Sequence, residues 1–187
     1  FDTASDANSP TCPSTEKQTL LGAALVEEMK ALGLQNARMD EHGYVYGTIP
    51  GNIPGYQGKI LGFIAHMDTI PDFSGENVQP TLVEKYAGGD IPLGSSGRVL
   101  SPKDFPSLDR MIGRTLIVTD GTTVLGGDDK AGVAEIMTLI ERLQKENLPH
   151  GPLGFAFTPD EEIGQGTDFF DVHAFGCDFA YTLDGGE

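Results

Sequence analysis

Four short polar clusters stand out along the chain: His66-Met67-Asp68, Asp128-Asp129 after Gly126-Gly127, Asp160-Glu161-Glu162 after Pro159, and Asp184-Gly185-Gly186-Glu187. Each could carry metal chemistry. His66 and Asp68 are two residues apart, and at a strand end such side chains point the same way. The imidazole can then bind a cation while the carboxylate fixes the ring. A turn histidine satisfied by a nearby aspartate has the same sequence. Asp128 and Asp129 open a helical pattern, where acids also serve as caps and dipole partners. The preceding glycines allow close backbone approach. Glu161 and Glu162 diverge if they follow a strand. One can then hold metal while the other takes a proton from water, a pairing that metal-assisted hydrolysis needs. Asp160 reads as a turn or solvated residue. Asp184 either closes an Asx turn or completes the site. One histidine with three carboxylates is a nitrogen and oxygen donor set. It suits zinc, cobalt or manganese better than copper, and it is large enough to begin a two-metal site.

The elements around these clusters are apolar runs that end in them. Residues 59–65 form a short run before His66, 114–119 before Asp120, 153–158 before Pro159, and 179–183 before Asp184. Runs of this kind read as buried strands. Residues 43–49 have strand character as well. Residues 14–32 read as an amphipathic helix, with Leu21, Leu25, Met29 and Leu32 on one stripe. Thr15 and Gln18 suggest a capping box and Gly33 a terminal cap. Residues 130–146 read as a second helix, with Val133, Ile136, Met137, Ile140 and Leu143 at helical spacing. Residues 67–113 are long and irregular, and a connection of that length should contain at least one small hairpin, with 81–86 and 98–100 as short strands. Strands alternating with helices predict an α/β three-layer sandwich around a mixed, largely parallel sheet. In such sheets ligands bind beyond the carboxyl ends of the strands, where all four clusters fall.

The chain has 187 residues, and its 12 Lys and Arg stand against 28 Asp and Glu, a net charge of −16. Residues 114–187 hold fourteen of the acids and four of the bases. That balance repels phosphate backbones and argues against a nucleic-acid partner. No run of 18 apolar residues is present, so no membrane span is expected. Two cysteines, Cys12 and Cys177, are too few for a disulfide framework and fit a reducing cytoplasm. His42, His150 and His173 lie in turn-like or surface-type segments and are expected to be solvated.

The motifs together resemble the co-catalytic zinc exopeptidases, the family that includes glutamate carboxypeptidase and acetylornithine deacetylase. The resemblance rests on His66–Asp72, Leu125–Lys130 and Ala156–Glu162. The stretches Gly88–Leu93 and Tyr181–Gly186, with the long insertion after His66, point to its tripeptide aminopeptidase branch. The resemblance implies two zinc ions. His66, Asp128 and Asp184 would hold one. Asp128 would bridge to the other, which Glu162 also binds. Asp68 would clamp His66, and Glu161 would be the general base. The Asp128–Asp129 peptide would be cis. The family draws a last histidine ligand from a later part of its catalytic domain and inserts a lid and dimerisation domain after the Asp-Gly-Gly segment. Residues 1–187 are therefore expected to be the N-terminal part of the catalytic domain. One metal site should be incomplete and this chain alone inactive. The substrate would be a short peptide, and the whole protein would be a homodimer through the lid.

Two other classes remain open on residue chemistry. A dipeptidase or N-acyl-amino-acid deacetylase of the same clan would have the same site. A non-catalytic metal-binding module would need only the ligands. A nucleotide-binding α/β domain is disfavoured, since no Gly-x-Gly-x-x-Gly or P-loop follows a strand.

Overall fold

A computed structural model describes residues 1–186; Glu187, the end of the last motif, lies outside the described residues. In chain order the main elements are α1 (Glu16–Ala31), β1 (Gln35–Met39), β2 (Val45–Ile49), β3 (Leu61–His66), β4 (Thr81–Val83), β5 (Ile91–Leu93), β6 (Arg98–Leu100), β7 (Leu116–Val118), α2 (Gly127–Glu146), β8 (Leu153–Thr158), α3 (Val172–Phe175) and β9 (Phe179–Thr182). Five strands form one mixed sheet in the order β1-β2-β8-β3-β9. β3 runs parallel to both β8 and β9, while β1 and β2 are antiparallel additions on the far side.

Alternation along the strands builds two cores, one on each face. Phe155, Phe157, Val45 and Ala65 meet Leu25 and Met29 of α1 and Val133, Ile136 and Ile140 of α2. The other face carries Tyr44, Tyr46 and Ala156 under Phe170, Phe175 and Cys177, from the segment around α3. The fold is therefore the expected α/β sandwich, with two long helices on one side and a short one on the other.

Four local expectations change. β1 is a strand that its sequence, Gln-Asn-Ala-Arg-Met, does not announce; it is held by antiparallel pairing to β2. β7 does not join the main sheet but pairs with β4 in a separate ribbon, and Ile117 is exposed there. The ribbon shares a small core of Tyr86, Ile91, Leu108 and Val118 with the β5–β6 hairpin, in which the expected strand 98–100 pairs with 91–93. β9 is a strand, but an edge strand exposed along its whole length. The Thr15–Gln18 capping box does not form. Thr15 Oγ1 donates to Ala4 O, and Gln18 is buried and turned toward Asp160. Gly33 does follow the helix, at φ +83°.

Candidate active site

Because β3, β8 and β9 are parallel, their carboxyl ends lie along one edge of the sheet. His66 closes β3, the turn carrying Glu161 and Glu162 follows β8, and Asp184 follows β9. Asp128 joins them from the opening turn of α2, where residues 128 and 129 depart from helical geometry and the peptide between them is cis. His66 is buried. Its Nε2 lies 3.0 Å from Asp128 Oδ1 and 3.8 Å from both Glu161 Oε2 and Asp184 Oδ1. Donor atoms of His66, Asp128 and Asp184 all fall within 4.8 Å of one another.

The other imidazole nitrogen faces Asp68. Nδ1 is 3.1 Å from the Asp68 carbonyl oxygen and 3.3 Å from Oδ1. Nε2 carries a proton here and donates to Asp128 Oδ1; losing that proton while Nδ1–H stays on Asp68 would free the Nε2 lone pair for a metal. The Asp68 carboxylate also accepts the backbone N–H groups of Glu161 at 2.9 Å and Glu162 at 3.1 Å. Burial alone would lower the His66 pKa. Hydrogen bonding and charge from Asp68, the hydrogen bond to Asp128 and the charge of Asp129 overcome it and raise the pKa to about 9.

No family model matches the chain. Peptidase T from Serratia proteamaculans is 54% identical over 186 residues, and peptidase T from Exiguobacterium sp. 57% identical over 188; both alignments cover all of this chain. The chain is a homologue of peptidase T. It spans a little under half the length of these relatives, 45% of each. Among solved structures, an aminopeptidase PepT from Bacillus cereus superimposes with a TM-score of 0.66 at 26% identity, over 96% of this chain and 40% of that one. A tripeptidase from Staphylococcus aureus gives the same TM-score and the same coverages at 24% identity, which supports the fold.

Within this peptidase T homologue, Glu162 is expected to share a second metal position with Asp128, apart from the His66 position. Glu162 is outside the close group of His66, Asp128 and Asp184. It lines an adjoining cavity of about 380 Å³ with Asp128, Thr69 and Leu125. Burial raises its pKa, and the charges of Asp128, Asp68 and Glu161 push it the same way. A second cavity of about 340 Å³ is lined by Glu161 and Asp184, with Ile64 and Phe170. Asp120 is not at the site edge, since β7 belongs to the separate ribbon; its carboxylate accepts from Thr122 N and Oγ1 and closes a turn.

Two further aspartates at the site are buried. Asp160, expected to be a turn or solvated residue, does sit in the turn before Glu161, but it is fully buried and hydrogen-bonded to Ser14 and Gln18. Asp129, for which a helix-cap role was open, is buried beside His66. It accepts the His66 backbone N–H at 3.3 Å and that of Gly132 at 3.0 Å. Burial lifts its pKa to about 6 against those hydrogen bonds and the His66 charge. Side-chain type offered no signal for either residue, because a buried and a solvated aspartate look alike in sequence. Lys130 donates to Thr3 Oγ1 at 2.7 Å. His42 stacks on Phe169 at 4.1 Å, so it is a packed turn residue and not simply a solvated one.

Proposed function

We propose that the protein of which this chain is a part is a metal-dependent tripeptide aminopeptidase, and that residues 1–187 are the N-terminal part of its catalytic domain. One observation carries the reading. Side chains from three separate elements, His66, Asp128 and Asp184, converge with donor atoms within 4.8 Å, and Glu161 stands beside them. Identity above 50% to peptidase T over the whole chain supports the substrate class.

The donor set fits a divalent cation. A neutral imidazole nitrogen and carboxylate oxygens suit zinc, cobalt or manganese, and Asp68 supplies the outer partner that a ligating histidine usually has. His66, Asp128 and Asp184 would hold one ion, and Asp128 with Glu162 would contribute to a second. Bound metal would supply a Lewis acid and a water of lowered pKa. Glu161, in this reading, accepts the proton of the attacking water at its carboxylate and returns it to the leaving amine. Asp68 keeps the His66 proton on Nδ1 and fixes the backbone of Glu161. The remaining ligand, the lid and a homodimer interface would come from the rest of the protein. A cytoplasmic location is part of the proposal, supported by free Cys12 and Cys177. Among the described residues no helix is long and apolar enough to cross a membrane.

The test is turnover by the full-length, metal-loaded protein against tripeptides, dipeptides and N-acyl amino acids. Release of the N-terminal residue, strongest for tripeptides, supports the proposal. Preference for dipeptides or N-acyl amino acids would assign it to another hydrolase of the clan. Tight metal binding without any hydrolysis would leave a metal-binding module.

A further inference from the structure

We infer that Asp160 is a positioning residue for Glu161, locked in place by Ser14 and Gln18 of the N-terminal segment. This rests on Glu161 being the base. Asp160 joins β8 to the Glu161 turn, and its carboxylate is wholly out of solvent. A buried carboxylate is costly unless its oxygens are bonded. Here Ser14 N donates to Oδ2 at 2.7 Å, while Ser14 Oγ at 2.5 Å and Gln18 Nε2 at 2.7 Å donate to Oδ1. Gln18 Oε1 accepts the Asp160 backbone N–H at 3.1 Å. One glutamine side chain therefore grips both the carboxylate and the main chain of the residue before Glu161.

The backbone supports a specific role for this side chain. Asp160 sits at φ 58° and ψ 26°, in the left-handed region. Glycine adopts that conformation at lower cost. An aspartate there adds what glycine cannot, a carboxylate tied to another part of the chain. On its other side the same turn is held by Asp68, which accepts the N–H groups of Glu161 and Glu162 and faces His66. The base is thus clamped from two directions, with its Oε2 3.8 Å from His66 Nε2.

The N-terminal segment reaches the other site loops as well. Thr3 Oγ1 donates to Met67 O and accepts from Lys130 Nζ, both at 2.7 Å, and Ser5 N donates to Thr69 O at 3.0 Å. One strap therefore joins the loops bearing His66, Asp128 and Glu161. An apolar residue would fill the Asp160 pocket, but it would not set direction as a hydrogen-bonded carboxylate does.

The test is steady-state kinetics with a tripeptide, using the full-length, metal-loaded enzyme. Small displacements of a catalytic group can cost up to about a hundredfold, so Asp160→Asn should lower kcat at least about tenfold. KM should stay within about twofold, because substrate binding is not what the clamp serves. Metal content should not change. Adding Gln18→Glu should restore kcat in part: the new amide at 160 can donate to the new carboxylate at 18, which still accepts the residue 160 N–H. If Asp160→Asn does not accumulate as folded protein, Ser14→Ala decides, with a fall in kcat at constant KM and metal content expected. An unchanged kcat, or joint loss of metal, KM and kcat in both single variants, overturns the inference. Wild-type tripeptide turnover and its loss in Glu161→Gln are read in the same assay. If those controls fail, the proposed function fails and the inference falls with it. If they hold while the Asp160 and Ser14 variants keep their kcat, only the inference fails.

Discussion

The carboxylates at the sheet edge divide into two groups. Asp68 and Asp160 are 0% exposed, whereas the side chains of Asp128, Glu161 and Asp184 are 58%, 49% and 41% exposed. The buried pair accept from backbone N–H groups, a serine, a glutamine and an imidazole, so their charge is spent on fixed donors. The open group gathers on one side of the His66 ring with few donors of its own. Like charges held that close repel one another unless a cation or proton lies between them. Two functions are therefore separated over a few ångströms. The buried acids hold geometry, and the open acids are available to bind and react.

Breaking the buried group should have the largest effect. Asp68→Ala would leave the N–H groups of Glu161 and Glu162 without an acceptor and the His66 ring with only the residue 68 carbonyl oxygen. Each buried group left unpaired costs about 1–3 kcal/mol, so thermal or denaturant unfolding should show a clear loss of stability. Metal affinity should fall too, by the roughly 10–100-fold seen when an outer partner of a ligand is removed. A variant with wild-type Tm and metal affinity would show that Asp68 does not hold the turn.

The open group should behave in the opposite way. Asp184→Asn should weaken metal binding by at least as much as the loss of an outer partner, about 10–100-fold, by calorimetric titration. Unfolding of the metal-free protein should change by no more than about 0.5 kcal/mol, as for exposed sites in general. Glu161→Gln should lower tripeptide turnover at least about a hundredfold, the low end for losing a general base. Metal content should stay at the wild-type level. Loss of metal in that variant would make Glu161 a ligand, and near-normal turnover would move the base elsewhere.

The same division marks what the sequence could reveal. Apolar runs identified β3, β8 and β9, and helical spacing identified α1 and α2. Their order implied a parallel arrangement with polar residues at one edge. Neighbours were harder to infer. The apolar run of β8 is buried on every residue, while that of β9 is exposed because only β3 lies beside it. β7 looked like a fourth strand of the sheet and instead belongs to a ribbon with β4. Local run character specifies a strand, but burial depends on which segments arrive on either side. Residue chemistry has the same limit. His66, Asp128 and Asp184 stood out because each follows an apolar run or a glycine pair. Asp160 did not, since its partners Ser14 and Gln18 lie more than 140 residues away. The sequence suggests a helix cap for Gln18, its nearest local use, and the longer-range contact prevails.

The smallest effect is expected at Asp120, an acid that belongs to neither group. It follows β7 and reads in sequence like the polar residues that follow the other three apolar runs. Its carboxylate accepts from Thr122 Oγ1 and Thr122 N, at 2.6 and 2.9 Å, and closes a surface turn of the small ribbon. Those bonds, the side-chain one first, hold its pKa below the usual carboxylate value. A lowered pKa means that the ionised form is the one favoured by the fold. Whatever stability the turn contributes is therefore present above the ordinary carboxylate range and is lost as the pH falls through the lowered pKa. Asp120→Ala should leave turnover and metal affinity at wild-type levels and lower Tm slightly near neutrality. The Tm difference from wild type should shrink under acid conditions that protonate Asp120. A marked loss of metal binding in this variant would place Asp120 with the open acids after all, and would mean that the ribbon swings against the sheet edge in the metal-loaded protein.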